Sequence, residues 1–269
     1  MSDIPERPDF SHFTAERVSH MEEITYLPAL QLIEQSGILS ASIPDGSLVV
    51  LDGAAGGGIV TAVLKEKLAE GKKEGGEKVK VVMGDVEEGM VELAKKRAVM
   101  EGWKNVEVKV VDGQAMDSRD AFFDYIFVNC GFQLFPNPDE GVKEAARLLK
   151  DGGLLAYSAW TSVAFFRLLR LADPSIPLPP FMSLPLVSTT EAPSYFAQYG
   201  LRDVHFEPVL VKKSFKSAED AVGMVKKVMP DLFGDEERNR KIVERLREED
   251  GDGELVLEWE GVTVTARKA

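Results

Sequence analysis

The chain has 269 residues, 44% of them hydrophobic and 29% charged, with 23 Gly and 14 Pro. That composition supports one or two packed α/β units and excludes collagenous, low-complexity and disordered classes. Lys and Arg total 32 against 45 Asp and Glu, a formal charge of −13, which disfavours nucleic acid and anionic membranes because phosphates need a basic surface.

The first ten residues, MSDIPERPDF, lack the apolar core of a signal peptide. The apolar stretch from Ser47 to Leu64 is interrupted by Asp52 and a run of glycines, which argues against a membrane span. A single cysteine, Cys130, forms no internal disulfide, and with three histidines it leaves little for a metal site. We therefore expect an unexported, cytoplasmic protein without a metal, partnered by neither membrane nor nucleic acid.

In chain order, Phe13 to Leu39 carries Ile24, Leu27, Leu30 and Ile33 at three-residue spacing, which predicts an N-terminal helix. From Ser47 to Tyr157, β-branched runs alternate with helical ones. SLVVLD is followed by IVTAVLKEKLAEG, VKVVMGD by EEGMVELAKKRAVMEGW, then come VEVKVVD, FDYIFVN with DEGVKEAARLLKDGG, and LLAYSAW. The strands are nearly continuous apolar runs, the pattern of a parallel sheet buried on both faces by helices. A Pro-rich crossing, Ala172 to Leu186, leads to a helix predicted over Thr190 to Tyr199, ended by Gly200. A strand from Arg202 to Phe206 and helices over Ser217 to Val228 and Asp235 to Arg247 follow. Glu254 to Ala266 reads as a closing strand or a hairpin around Glu260-Gly261.

The segment richest in chemistry is VVLDGAAGGGIV, Val49 to Val60: a buried strand, an acid at its end, a small-residue turn and a helix start. Glycines there let backbone approach a ligand, and N–H groups at the helix start face it. Neither the dinucleotide spacing G-x-G-x-x-G nor a Gly-Lys-Ser/Thr phosphate loop fits. Asp52 suits a cationic amino-acid ligand and repels a pyrophosphate.

The spacing D-x-G-x-G-x-G does fit, read as Asp52, Ala54, Gly56 and Gly58 with Ala in the first glycine slot. With Asp85 and Asp112 at later strand ends and the Leu-Leu-Lys-Asp-Gly-Gly turn, it resembles class I S-adenosylmethionine-dependent methyltransferases. A narrower resemblance, to fungal small-molecule methyltransferases of the gliotoxin thiol type, rests on several short runs. These are Leu51-Asp52 with Ala54, Gly56 and Gly58; Gly84-Asp85; Glu88-Gly89-Met90; Glu101-Gly102-Trp103; Gly131-Phe132-Gln133; and Phe135-Pro136.

The resemblance implies a Rossmann-like, mostly parallel sheet of seven strands with the last antiparallel. It also implies a helical cover over residues 1–40 and a methyltransferase domain over 41–269, with substrate-cap insertions at about 160–200 and 210–250. S-adenosylmethionine is the implied cofactor and S-adenosylhomocysteine the product. Asp52, Ala54, Gly56 and Gly58 would hold the methionine end, and Asp85, with Val86 and Met90 beside it, the ribose. Asp112, Gly113 and Gln114 would frame adenine, with Asn129 and Cys130 near the methionine end. Phe13, Phe132, Phe135 and Trp160 would contact the substrate, and Phe13 with Arg17 would belong to the N-terminal cover.

Methyl transfer requires no obligatory catalytic side chain, because alignment and desolvation lower most of the barrier. His12, His20 and Tyr26 are the candidates for a base, and each is equally a packed or surface residue. Cys130 reads more simply as a small buried hydrophobe than as a nucleophile. Phe165, Phe166, Phe181 and Met182 form either an apolar acceptor pocket or ordinary core. The implied partner is a small-molecule acceptor on a monomer or weak homodimer. A thiol of a secondary metabolite is the first reading of that acceptor, and an oxygen or nitrogen acceptor or a non-catalytic regulatory protein are the alternatives.

Overall fold

The computed structural model describes residues 13–43, 47–71, 76–251 and 253–269. Helix α1 (Ala15–Gln35) starts at Thr14, whose hydroxyl accepts the Arg17 N–H at 3.3 Å as an N-cap. Then follow β1 (Val49–Gly53), α2 (Ile59–Glu70), β2 (Lys80–Asp85), α3 (Glu88–Met100), β3 (Val106–Val110), β4 (Phe123–Asn129), α4 (Pro138–Leu148) and β5 (Leu149–Ser162). The chain ends with α5 (Ala164–Ala172), α6 (Ala192–Ala197), β6 (Leu201–Phe215), α7 (Ala218–Val228), α8 (Glu236–Asp250) and β7 (Leu255–Lys268).

The strands form one seven-stranded sheet in the order β3-β2-β1-β4-β5-β7-β6. Strands β1 to β5 pair in parallel, and β7 runs antiparallel to both its neighbours, β5 and β6. The parallel register sets Asp52 beside Met83 and Phe127, and Asn129 beside Ser158, so the carboxyl ends of β1, β2 and β4 share one edge. Chain order reverses direction across the sheet at β1 and β4, the place where open α/β sheets bind ligands.

Helices α1, α2 and α3 cover one face through Leu32, Ile33, Val63, Leu64 and Ala94, and α4 and α6 cover the other through Val142, Leu148 and Phe196. A third apolar cluster joins α5, α7 and α8 to the far ends of β6 and β7, centred on Trp259, Phe233 and Phe165. Helix α1 touches α2, β4, β5, β6, β7 and α7, so it spans from the sheet face to this cap.

Five elements depart from the expectations. On α1 the buried stripe is Ile24, Pro28, Ala29, Leu32 and Ile33, while Leu27 is exposed. A strict three-residue row drifts around a helix of 3.6 residues per turn and leaves the buried face. The last two strands are long and unbroken. Pro208 lies inside β6, which tolerates it as the edge strand. Gly261 marks close packing, not a hairpin, because a Cβ there would stand 2.5 Å from the Ala159 carbonyl oxygen of β5. The helix expected over Thr190 to Tyr199 shortens to α6, and α5 is a full helix inside the segment expected as a cap. Among the described residues, no helix is long and apolar enough to cross a membrane.

Candidate active site

A cavity of about 330 Å³ opens at the carboxyl ends of β1, β2 and β4. Its floor is the turn from β1 to α2. Ala54, Gly56 and Gly58 all take positive φ, at 53°, 52° and 87°, the left-handed region that favours glycine and that Ala enters at some strain. At Gly56 an added Cβ would meet nothing within 4 Å, while at Gly57 it would strike Val18 at 2.5 Å. The loop is therefore open to the cavity at one glycine and pressed under α1 at the next.

Two carboxylates hold this loop. Asp52 is buried, and its Oδ2 accepts the Thr61 N–H at 3.0 Å and the Thr61 hydroxyl at 2.6 Å. Its Oδ1 is buried with no hydrogen-bond partner. Burial pushes the Asp52 carboxyl up to about 7, against the opposing pull of the Thr61 hydrogen bonds. Asp85 accepts the Gly56 N–H at 2.8 Å and the Glu87 N–H at 3.0 Å, and burial raises its carboxyl as well.

Helix α1 roofs the cavity with Val18, Met21, Glu22 and Thr25, one face at helical spacing. Glu22 accepts a hydrogen bond from Arg97 of α3 at 2.6 Å, and the same guanidinium donates to the Gly57 carbonyl at 3.2 Å. Arg97 thereby ties roof to floor. From the β4 end, the Asn129 amide donates to the Thr25 carbonyl at 3.1 Å and accepts the Ser158 hydroxyl at 2.6 Å. Glu22, Asp52, Asp85 and Glu87 are the charged residues of the lining, which includes no Lys, Arg or His among the described residues.

Of the residues expected at the site, Asp52, Ala54, Gly56, Asp85, Val86, Met90, Asn129, Cys130, Phe13 and Phe135 line this cavity. Gly58 stands behind it as the N-cap of α2, where a Cβ would meet the Met83 methyl at 2.3 Å. Asp112, Gly113 and Gln114 do not reach it. Asp112 accepts the Gln114 N–H, Gln114 accepts the Asn137 N–H at 2.8 Å, and Gly113 packs against the ring of Phe135, which does line the cavity.

Phe132 is buried edge-on to Phe135 and Tyr157, and Trp160 lies in the apolar cluster of the cap. Phe165 packs on Phe233 and Trp259, and Phe166 on Phe181, as core. His20 pairs with Glu23 at 3.2 Å on the outside of α1, and Tyr26 is exposed, so neither faces the cavity. His12 lies outside the described residues. Arg17 stacks on the Phe13 ring at 3.9 Å and donates to the Val228 carbonyl, which makes it a support of Phe13. Burial pushes the Cys130 thiol up to about 12, so it stays protonated at neutral pH and is a poor nucleophile.

Sequence reasoning missed Val18, Met21, Glu22 and Thr25, although their i, i+3, i+4, i+7 spacing was the available signal. Among the described residues there is no group of acidic, His and Cys side chains that could hold a metal ion.

A buried strand-end acid, a left-handed glycine turn, a second acid on the neighbouring strand and this strand order define a class I methyltransferase fold. Comparison with known proteins agrees. The family model described as a methyltransferase domain matches residues 44–172. Methyltransferase ktnA of Aspergillus niger is 32% identical over 195 residues, covering 66% of this chain and 63% of that protein. The acetylaranotin bis-thiomethyltransferase of Aspergillus terreus is 28% identical over 129 residues, 48% of this chain and 40% of that protein. The chain therefore spans less than two thirds of the length of either relative. The crystal structure of a putative methyltransferase from Bacillus halodurans superposes with a TM-score of 0.58 at 22% identity, over 89% of this chain and 98% of that one. The chain thus has the class I methyltransferase fold, and its residues 44–172 match the methyltransferase-domain family.

Proposed function

We propose that the protein moves the methyl group of S-adenosylmethionine to a small, mainly apolar acceptor of secondary metabolism. The observation that carries this is the buried, unpartnered Oδ1 of Asp52 in a cavity whose charged lining, among the described residues, is carboxylate throughout. An unpaired buried acceptor is costly unless a ligand donor meets it. An ammonium supplies that donor, and a sulfonium suits the acidic lining, whereas a pyrophosphate would face Asp52 and Asp85 at close range.

In this reading Asp52 and the turn from Ala54 to Gly57 hold the methionine end, and Asp85 takes the ribose hydroxyls on its remaining lone pairs. Asn129 lies beside the methionine end, and Phe135 with Met90 encloses the adenosine. The cofactor, when bound, supplies an electrophilic methyl group. The chain aligns acceptor and methyl and keeps water out, with α1 as the roof and Phe13, Val18, Met21 and Leu134 as the apolar wall.

A thiol is the finer reading of the acceptor. The lining offers no His or Lys among the described residues and a Cys130 thiol that stays protonated. A thiol ionises near neutral pH with little help, whereas an alcohol needs a base. The bis-thiomethyltransferase likeness supports the same choice.

Calorimetric titration with S-adenosylmethionine, S-adenosylhomocysteine and NAD in parallel tests the cofactor. Micromolar binding of the first two and none of NAD is expected; the reverse would return the chain to the nucleotide-dependent oxidoreductases. Turnover on dithiols but not on phenols or amines is expected next. Binding without turnover on all three panels would favour a regulatory protein.

A further inference from the structure

A second hollow, of about 410 Å³, lies where β5 runs into α5, and it shares no lining residue with the cavity described above. Thr161, Ser162 and Val163 form one side, Arg167, Arg170 and Leu171 of α5 another, and Pro174, Leu178 and Met182 of the Pro-rich crossing the third. Its charge is the opposite of the first cavity. Arg167 and Arg170 are the charged residues of its lining, which includes no Asp or Glu among the described residues, in a chain whose net charge is −13.

Arg167 donates to Glu249 at 3.1 Å, and both side chains are about half exposed. Such a pair is worth little and exchanges readily for another anion. Arg170, one turn on, has no hydrogen bond or ion pair among the described residues. Asp173 forms no ion pair with it among the described residues; its Oδ1 accepts both the N–H and the hydroxyl of Ser175. Beside these guanidinium groups, Leu178 is 52% exposed. A solvated basic helix face would account for the arginines alone. It does not account for a hollow whose described lining holds two arginines, no acid and an exposed leucine.

We infer that this hollow is a second binding site, for a small amphipathic anion. A carboxylate or phosphate head meets the planar donor forks of Arg170 and Arg167, and an apolar body lies over Leu171, Leu178 and Met182. This assignment does not rest on the methyltransferase reading.

Titration of the full chain with octanoate, octyl phosphate and the uncharged octanol tests it, with inorganic phosphate as the headgroup alone. Octanoate or octyl phosphate should bind at least about tenfold more tightly than octanol, on the scale of charge-assisted hydrogen bonds. The ratio of the two anions identifies the headgroup. Inorganic phosphate should bind more weakly than either chain-bearing anion. Arg170→Gln should lower anion affinity by about tenfold or more, Arg170→Lys should restore part of it, and Leu178→Ser should weaken both octyl anions without touching a charge. Affinity for S-adenosylhomocysteine should be the same in every variant and in saturating octanoate. Equal binding of octanol, wild-type affinity in Arg170→Gln, displacement of octanoate by S-adenosylhomocysteine, or no anion binding into the millimolar range would each overturn the inference. Circular dichroism of each variant separates loss of a site from loss of fold.

Discussion

Two cavities occupy one edge of one sheet and differ in sign. The cavity over β1, β2 and β4 is lined by Glu22, Asp52, Asp85 and Glu87, and the hollow at the end of β5 by Arg167 and Arg170. Their sizes are alike, about 330 and 410 Å³, so volume does not distinguish what each accepts. Lining charge does. The first holds a buried carboxylate, Asp52, with one oxygen hydrogen-bonded to Thr61 and the other orphaned, whereas the second is built from half-exposed side chains. A preorganised, desolvated site discriminates by geometry, and an open one by charge and apolar contact.

The sharpest way to break this comparison is to remove the acid from the first cavity and read both. Asp85→Ala should weaken S-adenosylhomocysteine binding by about 1–3 kcal/mol, the scale of lost hydrogen bonds to a charged group, and leave octanoate binding unchanged. Unchanged cofactor affinity in a folded variant would end the ribose assignment.

Next in size is the pH dependence set by Asp52. An ammonium ligand selects its ionised form, so affinity should fall as pH drops through the raised value of about 7. Between pH 8 and 6 the loss should be about tenfold, with proton release on binding below pH 7 measurable by calorimetry in buffers of different ionisation enthalpy. Folding has the opposite slope at this residue. Its folded value of about 7 lies above the ordinary 3.8, so the neutral form contributes stability below about pH 4 that is lost as pH rises through 7. Asp52→Asn should remove both slopes.

The two cavities were not equally legible in the sequence. The first was, because its determinants are local: a strand-end acid and a glycine turn within Asp52 to Gly58, and Asp85 one strand later, all in near-continuous apolar runs. Its roof was not, since Glu22 and Thr25 gain meaning only when α1 folds back over β4. Asp112 and Gln114 sit at a strand end as expected, yet the Phe135 ring, supplied from beyond β4, stands against their loop. That is a tertiary fact that no spacing records. The second hollow was invisible for the same reason. Arg167 and Arg170 gain meaning only when the Pro-rich crossing brings Leu178 and Met182 beside them. Gly261 misled in the other direction, as the centre of a possible hairpin where the chain instead runs straight in close contact with β5.

The roof provides a smaller effect. Arg97 holds Glu22 and the Gly57 carbonyl together, and burial raises the Glu22 carboxyl against the pull of that same guanidinium. Arg97→Ala leaves Glu22 half-buried without its partner, so cofactor affinity should drop by about 1 kcal/mol, with faster dissociation in stopped-flow measurements. Glu22→Gln, which keeps a hydrogen-bond acceptor, should lose less. A change confined to thermal stability would make the contact a strut with no bearing on the cavity.

The smallest effect expected is at His20, and it tests whether the acidic cavity works without a base from α1. The residues of α1 that face the cavity are Val18, Met21, Glu22 and Thr25. At 100° per residue, His20 lies on the opposite side of the helix, where it pairs with Glu23. Its loss should therefore cost only an exposed contact of a few tenths of a kcal/mol. His20→Ala should keep kcat and KM within about twofold of wild type at pH 7 and at pH 6. A loss of kcat of about a hundredfold, the lower bound for a positioned general base, would instead require α1 to rotate during turnover. The roof would then be part of the chemistry as well as its cover.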